Sequence, residues 1–113
     1  MEKRLRSYEV FWPYYVAQHR NPANRALHFV GTTLTLAGAA LGLLASPLWL
    51  LAMPFAGYGF AWVGHFGFEK NKPATFTYPG WSLRGDFRMY RLICLRRMAP
   101  ELRRAQDLFP AGA

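Results

Sequence analysis

His19, His28 and His65 are the only three histidines in the chain, and Glu69 follows the last of them by four positions. Imidazole with carboxylate is a ligand set for iron, zinc or manganese. Two histidines and a carboxylate on one face of the metal is the pattern of non-haem Fe(II) oxygenases. Residues four apart share a face of a continuous helix, so His65 and Glu69 can act together. Arg25, three residues before His28, carries a planar fork that can grip a carboxylate in a bidentate way. A flank arginine reaching for lipid phosphate would read the same. Asn24 and Asn71 can orient metal ligands or simply cap and turn the backbone. The spacings leave both readings open. H-x3-E is a weaker signal than H-E-x2-H, Lys70 offers Glu69 a salt bridge, and a histidine near a membrane surface often makes only a hydrogen bond. Asp86 lies in a basic helix, where a charge pair is the simpler role.

The elements that must position these groups are marked out by charge. From Ala26 to Phe68 there is no Lys, Arg, Asp or Glu. As helix, roughly 20 apolar residues cross a bilayer core of about 30 Å. Two such spans fit, at about 26–45 and 48–66, with a break at Ser46-Pro47. A hairpin of this kind returns its two histidines to one surface, and His19 lies on the same side. The chain is 52% hydrophobic and 17% aromatic with a net charge of +8. Five of its basic residues precede the apolar stretch and the other nine follow it. A soluble fold mixes charge along the chain, because each helix needs a wet face. The segregation therefore argues against a nucleic-acid binder and for an integral membrane protein in contact with membrane lipids. Basic flanks favour the cytoplasmic side, which places both termini there.

Residues 5 to 20 read as an interfacial helix. Leu5, Tyr8, Trp12, Tyr15, Val16 and His19 fall on one face, Ser7 is its N-cap and Pro13 its kink. Phe11, Trp12, Tyr14 and Tyr15 resemble an interfacial aromatic belt. Asn21-Pro22 is a turn signal. The first span is rich in small residues, and Gly38-x3-Gly42 has the spacing that lets membrane helices approach closely. Pro54 kinks the second span. Residues 73 to 81 read as a loop. Ser82 then caps a basic amphipathic helix to about Met98, with Leu83, Phe87, Tyr90, Cys94 and Met98 as apolar stripe and Arg84, Arg88 and Arg91 beside it, a helix suited to the headgroup plane. Cys94, the one cysteine, reads as a small packing residue. Pro100 opens a last helix that frays towards Gly112. The expected fold is all-α, a single membrane domain over 1–113.

Two blocks sharpen this. The first is Tyr15-Val-Ala-Gln-His19-Arg-Asn21-Pro22-Ala-Asn24-Arg25-Ala-Leu-His28, and the second is Gly64-His65-Phe-Gly-Phe68-Glu69-Lys70-Asn-Lys-Pro73-Ala74. They resemble the Mpo-like membrane proteins, the 2-hydroxy fatty acid dioxygenases named for metabolism of phytosphingosine to odd-numbered fatty acids. The family pattern H-x-N-P-x-N-x3-H, followed after the spans by G-H-x2-F-E-K-x2-P-A, is met without a gap. The resemblance implies an Fe(II)-dependent dioxygenase that shortens 2-hydroxy fatty acids by one carbon with O2, and His19, His28 and His65 as iron ligands or their immediate partners. Eukaryotic members have more spans. The short chain and the segment Tyr78-Pro-Gly-Trp-Ser-Leu-Arg-Gly-Asp-Phe-Arg-Met look like a bacterial-type branch, which implies the bacterial inner membrane. Two spans are few to enclose a site, which leaves room for a homodimer. The competing expectation is a non-enzymatic membrane protein that binds lipid or partner proteins.

Overall fold

A computed structural model describes residues 5–110. These are all-helical, with no strand among them. The expected fraying towards Gly112 lies outside the described residues. The chain divides into two compact units. One is Asn21–Pro73. The other combines Met1–Arg20 with Ala74–Ala113.

The unit Asn21–Pro73 is a helical hairpin. Helix α2, Pro22–Leu44, starts where Asn21 accepts a hydrogen bond from the Ala23 amide at 2.8 Å and Pro22 occupies the first turn. Proline suits that position, since the amide it lacks would have no partner there. The chain turns at Ala45 and Ser46. Ser46 caps a 3-10 turn, Pro47–Leu51, by accepting from the Leu48 amide, so the break falls where the sequence placed it. The return limb runs on without interruption through α3, Ala52–Trp62, into a π-helical segment, Val63–Glu69. It is therefore not the single regular helix expected over 48–66. Pro54 sits in the first turn of α3, directly after the 3-10 turn.

The two limbs meet along small residues. A methyl group on Gly31 would come within 2.9 Å of the Ala56 carbonyl, and one on Gly42 within 2.3 Å of the Leu50 side chain. The Thr35 hydroxyl bonds the Gly31 carbonyl at 2.8 Å in its own helix and lies 3.5 Å from the Met53 carbonyl on the other limb. The outer faces are apolar and open: Leu43, Leu44, Leu48 and Phe55 are 73–87% exposed. Among the described residues one helix, Pro22–Leu44, is long and apolar enough to cross a membrane, with mean hydropathy 1.6. Only 17% of that apolar window is buried, which does not fit the core helix of a water-soluble protein.

The second unit packs α1, Tyr8–Ala17, against α4, Pro79–Cys94, and α5, Met98–Leu108. Ser7 caps α1 by accepting from the Val10 amide at 3.3 Å. Phe11, Trp12, Tyr15 and Val16 are at most 2% exposed and form the core with Met89, Met98 and Ala105. These aromatics therefore pack against one another rather than forming a belt. A buried ring removes far more apolar area from water than a surface one, so a small three-helix core claims them. Trp12 Nε1 donates to Glu101 at 2.6 Å, and the Tyr15 hydroxyl donates to the Asp86 carboxylate.

Three expectations about α4 are corrected. The helix begins at Pro79, not at Ser82, whose hydroxyl is buried within it. Cys94 is exposed. The face of α4 turned inward carries Ser82, Gly85 and Met89, because Gly85 lets the Tyr15 ring approach to where a methyl group would stand 3.1 Å away. The stripe of Leu83, Phe87 and Cys94 is left on the outside. The helix also ends at Cys94, four residues early, at a turn where Arg96 takes a left-handed conformation, φ 58°.

Candidate metal centre

Each histidine is buried, and each has its Nδ1 held by an oxygen that can only accept. His19 follows the end of α1, in the short polar turn that leads to Asn21-Pro22. Its Nδ1 lies 2.6 Å from the Tyr15 carbonyl, and its ring stacks on Tyr15 at a centroid distance of 4.2 Å. His28 stands in the second turn of α2 with Nδ1 2.9 Å from the Asn24 carbonyl. His65 lies in the π-helical segment with Nδ1 2.7 Å from the Asn71 side-chain oxygen. Carbonyl and amide oxygens have no hydrogen to give. In all three bonds Nδ1 is therefore the donor, and the basic lone pair falls on Nε2. Metal-ligating histidines are oriented by the same device.

Within the hairpin, His28 and His65 meet edge to face, with ring centroids 4.9 Å apart and planes at 90°. The π-helical segment accounts for part of this. Its wider turn adds backbone before Glu69 and changes the direction of each side chain, and such segments are frequent at functional sites. The segment ends at Lys70, in a left-handed conformation with φ 63°. The Lys70 and Asn71 amides both return to the His65 carbonyl. That tight reversal is what delivers the Asn71 side chain to the His65 ring.

Glu69 takes a different place from the histidines. Its carboxylate accepts from the Asn21 amide and lies 3.4 Å from the Asn24 side-chain nitrogen. A carboxylate at the first turn of a helix is favoured by the helix dipole, so Glu69 fastens the end of one limb to the start of the other. Arg25 is half-buried and sits in the electrostatic field of Glu69. Asn24 is fully buried. Its carbonyl holds His28, its amide nitrogen reaches Glu69, and its side-chain oxygen is a buried acceptor without a hydrogen bond. Sequence reasoning passed over Gly64 as a site residue. A methyl group there would fall 1.9 Å from the Asn24 side-chain oxygen. It also passed over Asn21, whose side chain caps α2 and reaches the Phe68 carbonyl at 3.4 Å. Both stand in the two sequence blocks, which was the available signal.

Within the hairpin, His28 and His65 are a buried, tautomer-fixed imidazole pair, a donor type that fits a transition metal, and His19 is buried and anchored in the same way in its own unit. Nitrogen donors of this kind suit iron, zinc, copper and nickel better than magnesium or calcium. Comparison with known families matches residues 5–98 to the family described as 2-hydroxy-palmitic acid dioxygenase Mpo1-like. No curated protein matches the chain. No solved structure matches it either.

Proposed function

The chain belongs to the Mpo1-like family, and from that premise we propose that it is an Fe(II)-dependent dioxygenase of 2-hydroxy fatty acids. The observation that carries the reading is the shared anchoring of the three histidines, each with Nδ1 given to an oxygen acceptor. His19, His28 and His65 would hold the ion through Nε2. When bound, Fe(II) supplies affinity for the hydroxyl and carboxylate of the substrate and the means to reduce O2. The overall conversion is R–CHOH–COOH + O2 → R–COOH + CO2 + H2O. The bond between the first and second carbons breaks, and the substrate itself supplies all the electrons that reduce O2.

The chain's own residues do the rest. Arg25 pairs with the substrate carboxylate through two parallel hydrogen bonds, and Glu69 keeps Arg25 and Asn24 in place. Asn71 and the Asn24 carbonyl hold two of the three rings in the tautomer that binds metal. Glu69 is thereby a positioning residue rather than a ligand.

The hairpin is the membrane anchor in this reading. Its exposed apolar faces suit lipid, and the uninterrupted return limb from Pro47 to Glu69 rises roughly 30 Å, enough to cross beside α2. Basic flanks put both termini in the cytoplasm. The acyl tail then lies along the spans in lipid while the head is processed in the polar layer.

Metal analysis of the purified protein, with O2 uptake on 2-hydroxypalmitate, tests the proposal. Near-stoichiometric iron is expected, with uptake abolished in His19→Ala, His28→Ala and His65→Ala. Normal turnover by all three variants at unchanged metal content would remove the ligand assignment. Absence of any transition metal would leave a non-enzymatic lipid-binding module.

A further inference from the structure

The outer face of α4 gathers charge that the described residues around it do not balance. Arg84, Arg88 and Arg91 line an open groove of about 580 Å³ together with Tyr8 and Phe87. Among the described residues one acid pairs with them: Glu101 lies 3.8 Å from Arg88. Two of the guanidinium groups are held over aromatic rings, Arg84 at 3.9 Å from the centre of Tyr8 and Arg88 at 4.2 Å from that of Trp12. Stacking of this kind fixes a guanidinium while leaving its in-plane hydrogens available to an acceptor. Three convergent cations in a groove repel one another, and an anion placed among them relieves that repulsion.

The surroundings say what the anion is attached to. Leu83 is 59% exposed and Phe87 42% exposed on the same side of the helix, with Cys94 further along it. An apolar stripe flanked by arginine, about 17 Å long from Leu83 to Cys94, is suited to a helix lying in the headgroup plane of a bilayer. A free phosphate would use the arginines but leave the stripe in water. We propose that this groove binds the phosphate of an anionic membrane lipid, with Leu83 and Phe87 entering the acyl boundary beside it. The occupant is therefore a lipid surface, not a soluble anion or an acidic protein. The proposal rests on the membrane reading of the hairpin and is independent of iron.

The test uses the native Cys94, the chain's one cysteine, labelled with an environment-sensitive fluorophore in the full-length protein. The protein is reconstituted into nanodiscs of phosphatidylcholine alone and of phosphatidylcholine with one-third phosphatidylglycerol. Emission should move to shorter wavelength, and aqueous quenching should fall, only in the anionic discs. The shift should be lost in about 1 M salt, where screening acts over roughly 3 Å. The double variant Arg84→Glu/Arg91→Glu should lose it, and Arg84→Lys/Arg91→Lys should keep most of it. Phe87→Ser should weaken it without changing the salt response. Equal emission in the two lipids would overturn the proposal. So would a shift that survives charge reversal, one that follows protein concentration rather than lipid charge (a second copy as occupant), or one reproduced by an acidic peptide in neutral discs. Stable incorporation into the neutral discs checks the membrane reading separately.

Discussion

The Asn71 side-chain oxygen lies 2.7 Å from His65 Nδ1, six residues back along the chain and across a left-handed turn at Lys70. The bond leaves His65 one tautomer, and it turns the ring so that it meets His28 at a right angle. Asn71→Ala removes the acceptor without touching a proposed ligand. Metal affinity should fall by about 10–100-fold, the usual cost of losing an outer partner. The d–d spectrum of the Co(II)-substituted protein should broaden as His65 gains freedom. Asn71→Asp keeps an acceptor and should restore most of the affinity. Unchanged metal retention in Asn71→Ala would remove this role.

Gly64 makes a sharper prediction about space. A methyl group at this position would overlap the Asn24 side-chain oxygen at 1.9 Å and would stand 3.3 Å from the Asn24 backbone. Asn24 cannot turn away freely, because it reaches Glu69 through its amide and holds His28 through its carbonyl. Gly64→Ala should cost about 1–3 kcal/mol, the usual range for overpacking, and lower metal retention with it. Gly59→Ala, where nothing lies within 4 Å, is the control and should be neutral or slightly stabilising, since alanine is the better helix former. Thermal unfolding in detergent, followed by circular dichroism, separates the two.

The contrast between these glycines shows what the sequence could reveal. Breaks and caps were legible because they follow from single residues: Asn21-Pro22, Ser46-Pro47 and Ser7 each act through a side chain's own geometry. The three histidines and Asn71 were legible through their places in two sequence blocks. The π-helical register of Val63–Glu69 was not, because it depends on which carbonyl each amide finds in the folded backbone. Nor was the inward face of α4. Periodicity offered Leu83, Phe87, Tyr90, Cys94 and Met98 as an apolar stripe suited to the headgroup plane, but gave no sign that the small Ser82 and Gly85 admit the Tyr15 ring and so make the opposite side the packed one. Pro79 was read as loop, although proline is at home in a first helical turn.

The seam between the two limbs distinguishes flexible obstacles from fixed ones. At Gly42 an added methyl group would meet the Leu50 side chain at Cδ2 and Cγ, 2.3 and 2.6 Å away, which a change of rotamer can relieve, whereas at Gly31 it would meet the Ala56 carbonyl at 2.9 Å, which cannot move aside. Gly42→Ala should therefore cost about 1 kcal/mol, the scale of one displaced rotamer, while Gly31→Leu should force the limbs apart and cost about 1–3 kcal/mol or more. Because His28 lies one turn from Gly31 on the same helix, the separated hairpin should also lose metal. If Gly31→Leu melts at the same temperature as the parent protein, the close approach of the limbs is not what holds the hairpin.

The pair formed by Tyr15 and Asp86 sets a pH dependence of stability that owes nothing to metal. Burial pushes the Asp86 carboxyl up to about 6, against an opposing contribution from the Tyr15 hydroxyl that donates to it, and burial with the neighbouring carboxylate raises Tyr15 as well. The unfolded chain ionises this aspartate near its ordinary value of 3.8. The folded protein therefore binds the proton more tightly than the unfolded one. This group's contribution to stability is fully present below the unfolded value and is lost as pH rises through about 6. The loss should amount to about 1–3 kcal/mol by neutral pH, since each tenfold gain in proton affinity on folding is worth roughly 1.4 kcal/mol. Asp86→Asn retains an oxygen that can accept from Tyr15 and carries no charge to desolvate. It should melt higher than the parent at pH 7, match it near pH 4, and flatten the stability profile between the two. A parent profile that rises from pH 4 to 7 to the same extent with and without Asp86 would show that the carboxylate is solvated in the fold.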